Sequence, residues 1–416
     1  MIRDGSLRCH LEMKELTPGG VSSPVRAFEP SPVFMNGGKG CIITDIDGNE
    51  YTDLCMAYGP LILGHSHPSV VSAAERQIKN GTIYGAPSLP EKELISEISK
   101  RVPCAEMVRL VSSGTEATMH SIRLARGYTG RRGIIKMKGG FHGSHDAVLA
   151  DGPQVPSGSG ILPETASYTH TAEYNSAGDI EAIIEKNDDI AAVIMEPVLG
   201  NAGVVPPEKG YLREVRKITE REGALLIFDE VITGFRLSAG GAQEYYNVIP
   251  DICTLGKIMG GGFPAGALAG RREIMMNLSP EGGVYQAGTF SGNPVTAAAG
   301  TAALREMTPE RYASLNRMSS ELVSSISDSL EDSGIQAAVN AVGSMFQIFF
   351  GTDKVRNGTD AQGCSRKMFA ELFRRMLDSG VYLPPAALET NFLSAEHGPV
   401  LQRLSEEFGK NLRCMR

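Results

Sequence analysis

Asp229 and Lys257 are the two residues whose types and settings most directly suggest chemistry. Asp229 closes the apolar run ALLIFDE (224–230), the pattern of a buried strand that delivers acidic side chains at its carboxyl end. Lys257 follows 28 residues later within TLGKIMGGGFPAG, where glycines leave little bulk between its amine and a ligand. A third signal lies in VSSGTEATMHSIRLAR, which sets Ser112, Ser113, Gly114 and Thr115 between an apolar strand and a helix. Backbone N–H groups at such a helix start, with flanking hydroxyls, suit a dianionic phosphate.

Each signal has a plainer reading. Asp229 could cap a helix, Lys257 could sit in a solvated loop, and Ser113 with Glu116 could be an ordinary helix cap. Together they suit pyridoxal phosphate. That cofactor needs an amine to condense with its aldehyde, a carboxylate to keep its ring nitrogen protonated, and a cup for its phosphate. Phe141 in GGFHG follows a strand and is a candidate to stack on the ring, although a core position is the commoner fate of such a residue. Val231, two residues beyond Asp229, shares its side of the strand and could pack on the other ring face. His65 and His67, like His142 and His145, are spaced as metal ligands are, but no carboxylate or thiolate cluster accompanies them, so no metal is expected.

FDEVITGFR (228–236), TLGKIMGGGFPAGALAG (254–270) and YQAGTFSGNP (285–294) resemble the class III aminotransferases of the type I pyridoxal-phosphate fold. PGGVSSPVRAF (18–28), YGPLILGHSHP (58–68), GNAG (200–203) and GVYLPP (380–385) are similar to the aminomutase branch of that class, and the likeness spans nearly the whole chain. The resemblance implies an intramolecular amino transfer with pyridoxal 5'-phosphate and pyridoxamine 5'-phosphate as the two cofactor forms. It makes Ser113, Gly114 and Thr115 the phosphate cup and brings Asn201 near the ring, with a less defined part for Glu196. Lys257 becomes the proton carrier. Thr289 would reach the phosphate from a partner subunit, which implies a homodimer with shared active sites. Arg26 would hold the substrate's distal carboxylate beside Ser23, with Glu389 near the site.

The chain departs from that pattern at three places. Phe141 stands where the aminomutases usually carry Tyr, and Tyr58 where Trp is often found. The segment from about 151 to 166, DGPQVPSGSGILPETA, reads as a surface loop in place of the family's lid sequence. An altered lid leaves open an aminotransferase or amino-acid epimerase built on the same scaffold.

The elements that must position these residues can be read as well. CIITDIDGNEYTDL (41–54) alternates about Asp47-Gly48, a hairpin signal. From about residue 69, helical patterns alternate with short apolar strands, ending with AAVIMEPV and ALLIFDEV, so a mostly parallel sheet is expected. The expected architecture is α/β, a large mostly parallel sheet domain with a smaller α+β domain. Residues 1–60 supply an N-terminal arm and part of the small domain, 61–300 the large cofactor-binding domain, and 301–416 the C-terminal part of the small one.

Composition bounds the function. Forty basic against 48 acidic residues give a net charge of −8, which disfavours nucleic acid or an anionic membrane as partner. No run of 18 consecutive apolar residues occurs, the N-terminal residues lack a secretory apolar stretch, and seven scattered cysteines read as free thiols in a reducing compartment. A cytoplasmic enzyme acting on a small molecule is the expectation.

Overall fold

The structure, a computed structural model, describes residues 1–150 and 160–415. Its chain divides into two compact units: residues 1–67, 313–355 and 363–416 form one, residues 68–312 and 356–362 the other. Residues 151–159 of the expected lid lie outside the described residues, and the rest of that segment includes a short helix, Pro163–Ala166.

The first unit begins with the helix Asp4–Lys14 and three antiparallel strands, β1 (Met35–Lys39), β2 (Ile42–Asp45) and β3 (Glu50–Asp53). The β2–β3 turn forms where the hairpin signal falls: Asp45 Oδ1 accepts from the N–H of Asp47 at 3.0 Å and of Asn49 at 2.8 Å, a side-chain substitute for backbone pairing.

The second unit holds a seven-stranded sheet of β4 (Met107–Val111), β5 (Gly133–Met137), β6 (Thr169–Ala172), β7 (Ile190–Met195), β8 (Leu225–Glu230), β9 (Ile252–Gly256) and β10 (Gly266–Gly270), in the order β4-β10-β9-β8-β7-β5-β6. All strands point one way except β10, which is antiparallel to both β4 and β9. Every residue of β7 and β8 is buried, as expected for strands covered on both faces, and Ile194, Ile227, Ile252 and Leu268 form the centre of the core. Full burial of each such side chain contributes roughly 1.5–3 kcal/mol. β10 begins with glycine for a steric reason: a Cβ on Gly266 would lie 2.2 Å from the carbonyl oxygen of Ser113.

In the first unit, β11 (Ala337–Val342) and β12 (Met345–Phe350) form a second hairpin, β13 (Val381–Tyr382) runs parallel to β3, and β14 (Asn391–Phe392) pairs with β12. No helix among the described residues is long and apolar enough to cross a membrane.

Candidate active site

The carboxyl ends of β4, β5, β7, β8 and β9 lie along one edge of the sheet, the edge at which open α/β sheets bind ligands. Asp229, the fifth residue of β8, is 4% exposed. Its Oδ1 accepts from Val231 N at 3.1 Å and from the Thr254 hydroxyl at 3.0 Å, and its Oδ2 lies 2.7 Å from His142 Nδ1. A carboxylate only accepts, so His142 Nδ1 carries the proton. His142 Nε2 is buried and has no hydrogen-bond partner among the described residues.

Glu196, just beyond β7, gathers the neighbouring loops. Its Oε1 accepts from Phe141 N at 3.0 Å, and its Oε2 from Gly200 N at 2.9 Å and the Asn201 side-chain amide at 3.1 Å. Burial pushes its carboxyl above the usual carboxylate range, aided by Asp229 and opposed by His142 and the N–H donors. Asn201, expected near the ring, therefore spends its amide on Glu196. Phe141 has no core role: its ring is 50% exposed while its backbone is pinned by Glu196.

Lys257 follows β9 directly, opens the turn Lys257–Gly260, and has φ 48°. A non-glycine residue in that region costs on the order of 1–3 kcal/mol, so the surrounding sheet must impose it. β9 pairs with β8 so that Thr254 opposes Asp229, which places Lys257 past the same edge. On the other side, Ser113 caps the helix Gly114–Thr129 by accepting from Glu116 N at 3.1 Å. The first-turn N–H groups of Gly114 and Thr115 have no carbonyl within the helix to bond. A Cβ on Gly114 would come within 2.9 Å of Val231 Cγ2, and one on Gly256 within 3.2 Å of Val231 Cγ1, so the half-buried Val231 faces two bare backbones.

The second unit thus combines a primary amine, a buried hydrogen-bonded carboxylate, a helix N-terminus with hydroxyls, and an exposed aromatic ring. These donors fit pyridoxal phosphate: the glycines leave the backbone accessible where a phosphate needs N–H donors, and the carboxylate is held aligned from three sides. Thr289, the trans residue implied by the resemblance, is exposed in a segment held by Arg109, which donates to Gln286 Oε1 at 2.8 Å and the Ser279 carbonyl at 3.0 Å. Among the described residues no cluster of His, Cys, Asp and Glu could hold a metal ion.

The residues expected to read the substrate fall in the first unit. Arg26 ends the short turn Pro24–Arg26 and lines a cavity of about 580 Å³ with Ser22, Tyr58, Asp53, His65 and Tyr382. Ser23 precedes that turn and its carbonyl accepts from Arg26 N at 3.1 Å, while Ser22 is the serine on the cavity wall. Tyr58 donates its hydroxyl to the Val25 carbonyl at 2.8 Å, and burial pushes its phenol well above the ordinary range. Glu389 is half-buried beyond the cavity lining, near enough to Tyr58 to add to that rise.

Two features had no counterpart in the sequence reading. His142 and Glu196 bind the strand ends together, and GGFHG and MEP carry no signal of that pairing. Met56, Ala57 and Tyr58 have φ of 45, 55 and 64°, with Gly59 at 116°. A left-handed residue with a Cβ costs roughly 1–2 kcal/mol, and nothing in CMAYG announces three in succession.

Fold and site together define an enzyme that transfers amino groups with a pyridoxal cofactor. Residues 25–392 match the family model described as Aminotransferase class-III, and the chain belongs to that family. It is 52% identical to the glutamate-1-semialdehyde 2,1-aminomutase of Methanothermobacter thermautotrophicus over 91% of this chain and 92% of that protein. Among solved structures, an omega-transaminase from Sphaerobacter thermophilus superposes with a TM-score of 0.93 at 31% identity, covering 99% of this chain and 98% of that one. A transaminase with PLP bound also gives 0.93, at 29% identity and 100% and 98% coverage.

Proposed function

We propose that the protein isomerises glutamate-1-semialdehyde to 5-aminolevulinate, an intramolecular amino transfer that supplies tetrapyrrole (porphyrin) synthesis. One observation carries the reading: buried Asp229, Lys257 and the Gly114–Thr129 helix start converge on one sheet edge, in a chain 52% identical over 91% of its length to such an aminomutase.

Pyridoxal phosphate, alternating with pyridoxamine phosphate, is the cofactor, and the likeness to the transaminase with PLP bound supports it. When bound, it supplies an electron sink and a carrier for the migrating amine. Ser113, Gly114 and Thr115 hold its phosphate, Asp229 its ring nitrogen, Phe141 and Val231 its two faces, and Asn201 its edge. Lys257 Nζ removes a proton from a substrate carbon, holds it and returns it to complete the exchange. Arg26 takes the distal carboxylate in its planar fork, with Ser23, Tyr58 and Glu389 around it. Amine and carbonyl trade places on adjacent carbons, so no second substrate is consumed.

The protein works as a homodimer with shared active sites, Thr289 reaching the partner's phosphate site. Tyr285 at 69% and Phe290 at 62% exposure flank Thr289, and such aromatic exposure supports a covering partner. The net charge of −8 and seven cysteines scattered singly along the chain support a cytoplasmic location.

The test is conversion of glutamate-1-semialdehyde by the purified enzyme with no amino donor or acceptor added, for the wild type and Lys257→Ala. 5-Aminolevulinate formed by the wild type and lost in the variant is the expected result. No product, with transamination once an amino acid and a 2-oxo acid are supplied, would move the chain to the aminotransferases.

A further inference from the structure

The cavity that Arg26 lines contains an acid as well. Asp53, at the end of β3, is 2% exposed and lies on the wall of that cavity. A carboxylate facing the same space as Arg26 would compete for the guanidinium with any carboxylate substrate. Here both of its oxygens are committed elsewhere. Oδ1 accepts from Cys55 N at 2.8 Å and Met56 N at 2.9 Å, and Oδ2 lies 2.7 Å from His65 Nε2.

His65 is in turn fixed from two directions. Its backbone exchanges two hydrogen bonds with Gly40, His65 N to Gly40 O at 2.7 Å and Gly40 N to His65 O at 3.0 Å. Its ring lies against Gly38, where a Cβ would come within 2.9 Å of the imidazole. The carboxylate accepts, so Nε2 carries a proton and the ring acts as a donor.

The chain that Asp53 caps then makes the left-handed turn Met56–Gly59, closed by Tyr58 N to Cys55 O at 2.8 Å and Gly59 N to Met56 O at 3.0 Å. A turn of this hand holds only where its surroundings impose it, and the two N–H groups on Asp53 are the local restraint. The turn carries Tyr58, whose hydroxyl donates to the Val25 carbonyl at 2.8 Å, one peptide before Arg26.

We propose that Asp53 and His65 are positioning residues for Arg26, acting through the left-handed turn and Tyr58, and that His65 also occupies the Asp53 oxygen that would otherwise compete for the guanidinium. The inference rests on the reading of Arg26 as the carboxylate-holding residue, and extends it to the residues that aim that arginine. It explains why the first histidine of GHSHP lies on a buried aspartate: its part is to keep an acid engaged.

The experiment compares wild type with Tyr58→Phe, Tyr58→Trp, His65→Ala and His65→Gln as the full dimeric holoenzyme. Two quantities are read: calorimetric affinity for glutarate, a five-carbon dicarboxylate probe that needs no turnover, and KM and kcat for glutamate-1-semialdehyde. Loss of one positioning hydrogen bond corresponds to about a tenfold change. Tyr58→Phe and His65→Ala are therefore expected to weaken glutarate about tenfold and to raise KM more than they lower kcat. Tyr58→Trp and His65→Gln retain an N–H donor and are expected to recover most of the affinity. Glutarate affinity in Tyr58→Phe equal to that of the wild type overturns the proposal, even if His65→Ala fails to fold. So does a fall in kcat with KM and affinity unchanged. A wild type that makes no 5-aminolevulinate, with Tyr58→Phe still losing glutarate tenfold, refutes the mutase reading and upholds the inference.

Discussion

His142 Nδ1 and Asp229 Oδ2 lie 2.7 Å apart, joining the loop after β5 to the end of β8 across 87 residues of sequence. With Thr254 and Val231 N on the other oxygen, Asp229 is held from three sides before any ligand arrives. A carboxylate fixed in this way can meet a cationic ring nitrogen without reorganising, which is where preorganised electrostatics gain their effect.

Asp229→Asn keeps the shape and removes the charge. It is expected to lower turnover on the order of 10²-fold or more, the scale of losing one preorganised electrostatic group. His142→Leu, which leaves Asp229 with one oxygen unpartnered, is expected to cost roughly 10-fold. His142→Asn, which restores a donor near Nδ1, should fall between His142→Leu and the wild type. Steady-state kinetics with the absorbance of the bound cofactor checks the order, and equal activity in His142→Leu and wild type would contradict it.

Two glycines separate fold from site. A Cβ on Gly266 would meet backbone, the Ser113 carbonyl at 2.2 Å, so Gly266→Ala is expected to destabilise the fold by about 1–3 kcal/mol through overpacking. A Cβ on Gly114 would meet a side chain, Val231 Cγ2 at 2.9 Å and Cγ1 at 3.0 Å, and a half-buried side chain shifts at lower cost than backbone does. Gly114→Ala should therefore weaken cofactor binding with little change in melting temperature. Thermal melts and cofactor titrations of both variants distinguish the two outcomes.

Thr289→Ala removes one hydroxyl from the exposed residue proposed to serve a partner subunit's phosphate site. A hydrogen bond to a charged group contributes about 1.5–3 kcal/mol, so the cofactor Kd should rise roughly 10- to 100-fold with the dimer intact. Equilibrium dialysis and sedimentation velocity read the two quantities separately, and an unchanged Kd would remove Thr289 from the phosphate site.

Stability should fall on the acid side because two histidines are held neutral. His397 accepts from Ser394 N at Nδ1 (2.9 Å), and its Nε2 lies 3.0 Å from the Asp53 carbonyl, which accepts from it, so a second ring proton would face a donor. Burial lowers His397 from its ordinary 6.5 to about 4, with His65 adding and Asp53 opposing. His145 is also lowered to about 4, by burial first and then by His142, Arg126, Arg123 and His120. A depressed histidine contributes stability that is full above pH 6.5 and lost as pH falls toward its folded value. Each drop corresponds to roughly 3 kcal/mol across that window. Melting temperature is expected to decline from pH 6.5 to 4, less steeply in His397→Gln, and a flat profile would refute this account.

The strands, the parallel sheet and the placement of Asp229 and Lys257 could be read from the sequence because each depends on local signals. An apolar run such as ALLIFDE has few stable fates other than a buried strand, and glycines mark where backbone must approach closely. The serine-glycine-threonine helix start was legible for the same reason. What the tertiary structure decided is where buried polar groups find their partners. His142 looked like half of a spaced histidine pair and meets Asp229 only because β5 and β8 both end at the same sheet edge, with β7 between them. Glu196 collects Phe141, Gly200 and Asn201 through the same alignment, which turned Asn201 toward a carboxylate. The left-handed turn at Met56–Gly59 is unfavourable to its own residues and exists because Asp53, held by His65, captures its first N–H groups. Local pattern fixes which elements form, whereas the cost of leaving a buried polar group unpaired fixes who pairs with whom, and that is settled only when distant segments come together.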